Sequence, residues 1–387
     1  MASNQMWFNT RIRSTPYSDR IEALGVQAFS VYNHMLLPLA FRSVVADYWH
    51  LKEHVQLWDV AAQRQVEVVG PDAERLVQLM TPRDLSKATV GRCLYTPLVD
   101  AAGGVVNDPV VLKLSDDRFW ISIGDSDVSL WADGLAIGLG LDVTVFEPDV
   151  SPLAVQGPKA EDLVARVFGE EVREITFFRF ATLDFHGHPL RVARTGWSKQ
   201  GGFEIYLDES RLGGALWDEL WDAGQDLDVG PGAPNLIERI EGGLLSYGGD
   251  MTRANNPYEC GFDAFVQLDR DTEFLGRAAL ERIATAGPTR RVRGLRIEAD
   301  ELPMCRERWP VVDVDNGRQV GEVTSVAMSP SFECGVAIAM LDTEHWDPGR
   351  SVTVVTPDGL QPATVDELPF AGPSTASKAA GREPPTS

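Results

Sequence analysis

Two stretches of the chain share one order of apolar and polar positions. VEVVGPDAERLVQLM (66–80) and LAVQGPKAEDLVARVF (153–168) each open on a short apolar run, break at Gly-Pro, and then space apolar residues three and four apart. The run predicts a strand. The spacing of Leu76, Leu79 and Met80, like that of Leu163, Val167 and Phe168, predicts a helix with one buried face. Gly70 and Gly157 suit a tight turn, and Pro71 and Pro158 begin each helix where no amide donor is needed. A strand–turn–helix unit used twice implies two related α+β halves. Val105–Leu114 and Phe119–Ile123 read as strands between the two units. After about residue 290 the texture becomes short β-rich runs, with Asn316-Gly317 and Asp358-Gly359 as hairpin turns, which predicts a small barrel or sandwich. The expected organisation is a first α+β domain over 1–150, interleaved or not with a second over 151–287, and a β-domain over 288–366. A Pro/Ser/Ala-rich tail over 367–387 is expected to be disordered.

One strand carries unusual chemistry. In RTGWSKQGGFEIY (194–206), a glycine-punctuated turn feeds a strand in which Phe203, Ile205 and Leu207 share one face. Glu204, Tyr206 and Asp208 share the other. Either this is a half-buried edge strand with its polar face in water, or Glu204 and Tyr206 line a cavity with Trp197 held over it. Asn107-Asp108 raises a similar question, because a carboxylate interrupts an apolar strand after the Gly103-Gly104 turn. A strand buried on both faces would not hold that aspartate without a partner; the alternative places it just outside the core.

Charge narrows the classes of partner. With 35 basic against 57 acidic residues the formal charge is -22, a surface that repels polyphosphate backbones, so nucleic acid is not expected as a partner. No apolar run approaches the ~18–20 residues of a membrane span, and the polar N-terminal stretch lacks a signal-peptide core, so a cytoplasmic location is expected. Cys93, Cys260, Cys305 and Cys334 are scattered without a CxxC pair and are expected to be buried, reduced thiols. Cys260, in PYECGF, lacks a histidine partner in a recognisable context. His50-Leu51-Lys52-Glu53-His54 matches a reversed zinc motif. With no third ligand in view it reads as a solvated helix with paired charges, and no metal is expected. Phosphate-binding loops and nucleophile elbows are missing from the sequence.

Five motifs in order carry a resemblance: CLYTPLVDAAGGVVNDPVV, LAVQGPKAEDLV, RTGWSKQGGFEIY, ERIEGGLLSYGGDM and GEVTSVAMSPSFECGVAIAML. Together, over roughly residues 40 to 365, they resemble the folate-dependent aminomethyltransferase (glycine-cleavage T-protein) superfamily. The resemblance implies a three-domain ring of two ferredoxin-like α+β domains and a C-terminal β-barrel around a central folate channel. It implies tetrahydrofolate as acceptor, bound by Glu204 through the pterin, with Tyr95, Asp108, Arg239 and Tyr247 at matching positions. Within the superfamily, VYNHMLLP, TPRD and the GWSKQGGFEIY form look most like the demethylases of dimethylsulfoniopropionate. The T-protein pattern has tyrosine where this chain has Trp197, and Asp-Asp where it has Asn107-Asp108. Its first aspartate is the carboxylate linked to aminomethyl transfer. The resemblance therefore implies methyl transfer from a sulfonium to folate N5, with Asp108, Tyr206 and Trp197 as catalytic residues. Trp197 and Tyr206 would present aromatic faces to the cation. Folate-dependent O- or N-demethylation, aminomethyl transfer with a lipoyl carrier protein, and folate binding without turnover stand as alternatives. A small-molecule methyl donor and tetrahydrofolate are the expected partners of a monomer or homodimer.

Overall fold

A computed structural model describes residues 9–372. The chain divides into two compact units, the first holding 1–235 and 246–288, the second holding 236–245 and the residues from 289 onward.

The first unit contains two sheets. One has five antiparallel strands in the order Thr144–Phe146, Arg64–Val69, Arg118–Ile123, Val110–Ser115 and Cys93–Tyr95. The other has six, ordered Phe180–Phe185, His188–Ala193, Gly202–Leu207, Ser151–Gln156, Val55–Asp59 and Val229–Gly232. The strand–Gly-Pro–helix units anticipated in the sequence fall one in each sheet: Arg64–Val69 leads to the helix Ala73–Leu79, and Ser151–Gln156 to Ala160–Phe168. Their glycines sit at φ 142° and 122°. A side chain there would meet the backbone, with a Cβ on Gly70 lying 2.5 Å from the Asp142 carbonyl and one on Gly157 lying 2.4 Å from that of His54. Val55–Asp59 lies early in the chain but pairs inside the six-stranded sheet, between Ser151–Gln156 and Val229–Gly232.

Each sheet packs one face on helices. Phe203, Ile205 and Leu207 join Leu163, Phe168, Leu216 and Trp217 in one core, while Val66, Val68 and Phe119 join Leu76, Val77 and Ala132 in another. The opposite faces meet through Cys93, Leu112 and Trp120 from the five-stranded sheet and Ala193 and Tyr206 from the six-stranded one. This last layer answers the question posed by RTGWSKQGGFEIY. Gly202–Leu207 is not an edge strand with a wet face; it is central, flanked by Ser151–Gln156 and His188–Ala193. Glu204 and Tyr206 are only 5% and 0% exposed. The predicted strand 105–114 is also corrected, because it breaks into Val105–Asn107 and Val110–Ser115. Pro109 lies in the break and has no amide donor for a ladder.

The second unit is a closed six-stranded barrel in the order Arg290–Ile297, Cys334–Asp342, Gln319–Ser329, Trp309–Asp313, Ser351–Thr356 and Gly359–Asp366. Its alternate positions, among them Leu295, Trp309, Val323, Ala339, Val354 and Val365, fill the interior. Gly317 and Gly359 take positive φ at the two anticipated turns. The helix Leu236–Glu241, from the ERIEGGLLSYGGDM motif, belongs to this unit. The expectation of a disordered tail from 367 needs correction over its first residues. Phe370 is buried, donates its amide to the Glu241 carbonyl at 3.0 Å and rests against Phe332. The rest of that expected tail, 373–387, lies outside the described residues.

Candidate active site

Two polar groups in the first unit are joined by the short strand Cys93–Tyr95. At one end Tyr95 donates its phenolic hydrogen to Asp108 Oδ2 at 2.7 Å. Asp108 sits at the strand break, half-buried, yet protein encloses it enough that burial pushes its carboxyl up to about 7. The Tyr95 hydroxyl and the residue's own backbone hold it down, and Asp250 pushes it up. Tyr95 is fixed edge-on against Phe262 and Phe265, with ring centroids 5.6 and 5.2 Å apart. Tyr247 belongs to the same group: burial raises its phenol, with Asp108 and Asp100 adding to the shift and Arg253 opposing it.

At the other end lies Glu204. Its Oε2 accepts the Thr195 hydroxyl at 2.6 Å. Burial raises its carboxyl, opposed by Thr195, Gln63 and Tyr206. Gln63 in turn donates to Ser122 Oγ at 2.7 Å. The Tyr206 hydroxyl is buried without a well-formed hydrogen bond, although Ser122 and Thr195 lie near enough to affect its titration. Gln65 Oε1, opposite Ser122 in the ladder, is likewise unpaired. Cys93 joins this end, its thiol raised by burial and then by Glu204.

The Trp197 turn is built around Gln156. This buried side chain donates to the carbonyls of Thr195 and Phe203 at 3.3 Å and accepts the Ser198 hydroxyl at 2.8 Å. A Cβ on Gly196 would lie 2.2 Å from Gln156 Nε2, and one on Gly202 would lie 2.2 Å from the Val155 carbonyl. Glycine is therefore needed here for close approach. Trp197 itself is half-buried.

The structure thus brings Tyr95, Asp108 and Tyr247 together and sets Glu204 beside Tyr206. The cation-facing role expected of Tyr206 requires correction, because its ring is enclosed and packs on Trp120 at 5.9 Å. Arg239 lies in the second unit, where it donates to Ser325 Oγ at 2.6 Å and to the Leu244 carbonyl at 3.3 Å. Asn107 is buried, and its amide donates to the Asp125 carbonyl and Ser126 Oγ, both at 3.1 Å. Gln63, Ser122, Thr195, Gln156 and Asp250 were not anticipated. Of these, Gln156, Thr195 and Asp250 stood inside quoted motifs without receiving a role.

Two other expectations change. His50 is not on a solvated face; it is half-buried, and burial lowers it to about 4. Cys93 and Cys260 are buried, but Cys305 and Cys334 keep partial exposure. No helix among the described residues is long and apolar enough to cross a membrane.

A solved relative shares this architecture. The crystal structure of glycine cleavage system aminomethyltransferase T from Bartonella henselae superposes with a TM-score of 0.84 at 23% identity, covering 93% of this chain and 98% of that one. In sequence, the dimethylsulfoniopropionate demethylase DmdA of Ruegeria pomeroyi is 54% identical over 92% of this chain and 97% of its own length. An aminomethyltransferase of Symbiobacterium thermophilum is 31% identical over 94% and 98%. The GCVT N-terminal domain model matches residues 17–270, and the glycine cleavage T-protein C-terminal barrel domain model matches 290–371. The chain belongs to the glycine cleavage T-protein family.

Proposed function

We propose that this protein is a tetrahydrofolate-dependent methyltransferase that takes a methyl group from a sulfonium, dimethylsulfoniopropionate, and leaves 5-methyltetrahydrofolate and a thioether. The observation that carries the choice within the family is Asn107. Where the aminomethyl-transferring pattern has a carboxylate, this chain buries an amide that donates to the Asp125 carbonyl and Ser126 hydroxyl. A carboxylate cannot donate to a carbonyl. The charged methylene-amine of aminomethyl transfer would find no counter-charge at that position.

The residues at the Glu204 end fit a pterin. A carboxylate can accept two parallel hydrogen bonds from a ring amino group and its neighbouring N–H, and Glu204 has one such donor in Thr195, leaving lone pairs to spare. The Tyr206 hydroxyl and the Gln65 carbonyl oxygen are further buried polar atoms without a well-formed hydrogen bond, and buried polar atoms of this kind call for partners. Glu204, Tyr95, Asp108 and Tyr247 are assigned to folate binding. When bound, tetrahydrofolate supplies N5 as the methyl acceptor.

The remaining work falls to the protein. A sulfonium is positive at every pH and departs as a neutral thioether, so no acid is required. Trp197 offers its ring face to the cation, a contact worth about 2 kcal/mol when desolvated. Tyr206 is reassigned from that role to supporting Glu204. Asp108, poised near neutrality, accepts a proton at its carboxylate while Tyr95 orients it. Holding donor and acceptor in line in a dry site contributes up to ~7–11 kcal/mol. The reading includes a cytoplasmic location and a monomer or homodimer. It is tested by incubating the protein and tetrahydrofolate with sulfonium, betaine and methoxyaryl donors. Turnover of the sulfonium is expected, and turnover confined to a methoxyaryl ether or a betaine would overturn it.

A further inference from the structure

The hairpin that carries VYNHMLLP pairs Ala28–Tyr32 with Met35–Ala40 and turns at Asn33 and His34. Both turn residues have positive φ, 46° and 61°, the type I′ geometry that matches the twist of the strands and suits asparagine. The Arg13 amide donates to the His34 carbonyl at 2.7 Å, and its guanidinium donates to the Asn33 carbonyl at 3.1 Å. Backbone and Arg13 thus make the turn, and the Asn33 side chain takes no part in it.

That side chain reaches two loops of the first unit instead. Its Nδ2 donates to the Ala62 carbonyl at 2.9 Å and the Gly124 carbonyl at 3.1 Å, while Oδ1 accepts the Ser126 amide at 3.3 Å. The Asn33 backbone amide adds a bond to Asp125 Oδ1 at 2.8 Å. Two carbonyls require two donors and an amide requires an acceptor. A primary amide satisfies all three, which neither a carboxylate nor a hydroxyl can do. Each loop leads to one end of the active site. Ala62 precedes Gln63, whose side chain lowers the Glu204 carboxyl and donates to Ser122 Oγ. The Asp125 carbonyl and Ser126 hydroxyl hold the Asn107 side chain, and Asn107 precedes Asp108 at the strand break.

We propose that Asn33 is a positioning residue for methyl transfer: by tying Ala62 to the 124–126 loop, it fixes the spacing between the Glu204 group and the Asp108 group. A folate held at Glu204 has to present N5 within reach of Asp108, and a misplacement of about 1 Å can cost about 100-fold in rate. The inference rests on the methyl-transfer reading, which gives the two carboxylates their separate tasks.

The test compares Asn33→Gly, Asn33→Asp, His34→Gly and Ser126→Ala in the full chain, with rates measured well below each melting temperature. Glycine at 33 keeps the positive φ of the turn and removes only the side chain. His34→Gly alters the same turn and leaves every Asn33 bond in place. Asn33→Gly and Asn33→Asp should lower kcat about 10- to 100-fold. Their KM for the sulfonium and calorimetric affinity for tetrahydrofolate should stay within about 3-fold of wild type, and His34→Gly should keep the wild-type kcat. Because Asn33 acts through the loop that holds Asn107, combining Asn33→Gly with Ser126→Ala should cost less than the product of the two single effects. A role confined to folding would lower the melting temperature and leave kcat of the folded variants unchanged. That result, with wild type turning over the sulfonium, would overturn the proposal and leave the functional reading intact. Fully multiplicative losses in the double variant would overturn the route through 124–126. A wild-type protein that neither binds tetrahydrofolate nor turns over a sulfonium would overturn both readings.

Discussion

Replacing Tyr95 with Phe removes the phenolic hydroxyl and keeps the ring that packs on Phe262 and Phe265. The lost interaction is the 2.7 Å hydrogen bond to Asp108. A hydrogen bond to a charged group stabilises it by about 1.5–3 kcal/mol, and one pKa unit corresponds to about 1.4 kcal/mol. The carboxyl of Asp108, already pushed up to about 7 by burial, should therefore rise by roughly one to two further units. At pH 7 wild-type Asp108 is about half ionised, whereas the variant would be about 1–10% ionised. If the carboxylate accepts a proton during turnover, kcat at pH 7 falls about 5- to 50-fold and recovers near pH 9. The assay is kcat against pH from 5.5 to 9.5 for both proteins. A basic shift of the acid limb is the expected result. An equal loss at every pH, or no shift at all, would refute the coupling of Tyr95 to Asp108.

Other substitutions probe the same layer. Asp108→Asn should lower kcat by about 10²–10⁴-fold with little change in KM. Its stability effect has a defined sign. The stability from holding Asp108 neutral is complete below the ordinary carboxyl value and is lost as pH climbs through about 7. The Asn variant should therefore gain in melting temperature relative to wild type between pH 5 and pH 8.5, which a pH series of thermal melts checks. Tyr206→Phe removes a buried hydroxyl that lacks a well-formed partner, so the free protein should be as stable or more stable in denaturant titration while folate affinity drops. Asn107→Asp buries a carboxylate 3.1 Å from the Asp125 carbonyl; it should cost about 1–3 kcal/mol in urea unfolding and confer no aminomethyl transfer.

What could be read in advance depended on whether the signal was local. The Gly-Pro units were legible because a strand, a positive-φ glycine and an amphipathic helix are all written within a few residues. The barrel was legible for the same reason, through Asn316-Gly317 and Asp358-Gly359. The burial of Glu204 was not, because an alternating strand looks the same at an edge as between two sheets; only pairing with Ser151–Gln156 and His188–Ala193 decides it. Gln63, Ser122 and Thr195 come from separate segments and meet only after both sheets form, so their spacing carried no message. The place of Val55–Asp59 in the six-stranded sheet is a long-range pairing of the same kind. Phe370 was hidden by its neighbours, since a Pro/Ser/Ala-rich composition describes the segment after it better than the aromatic that anchors it.

The central claim is that this member of the family moves a methyl group and not an aminomethyl group, and the folate product tests it most directly. The protein is incubated with tetrahydrofolate and dimethylsulfoniopropionate, and in parallel with tetrahydrofolate and an aminomethylated lipoyl carrier, and the folate pool is resolved by mass spectrometry. The account predicts 5-methyltetrahydrofolate from the sulfonium and no 5,10-methylenetetrahydrofolate from the carrier. Methylene-folate from the carrier, with no methyl-folate from the sulfonium, would contradict it.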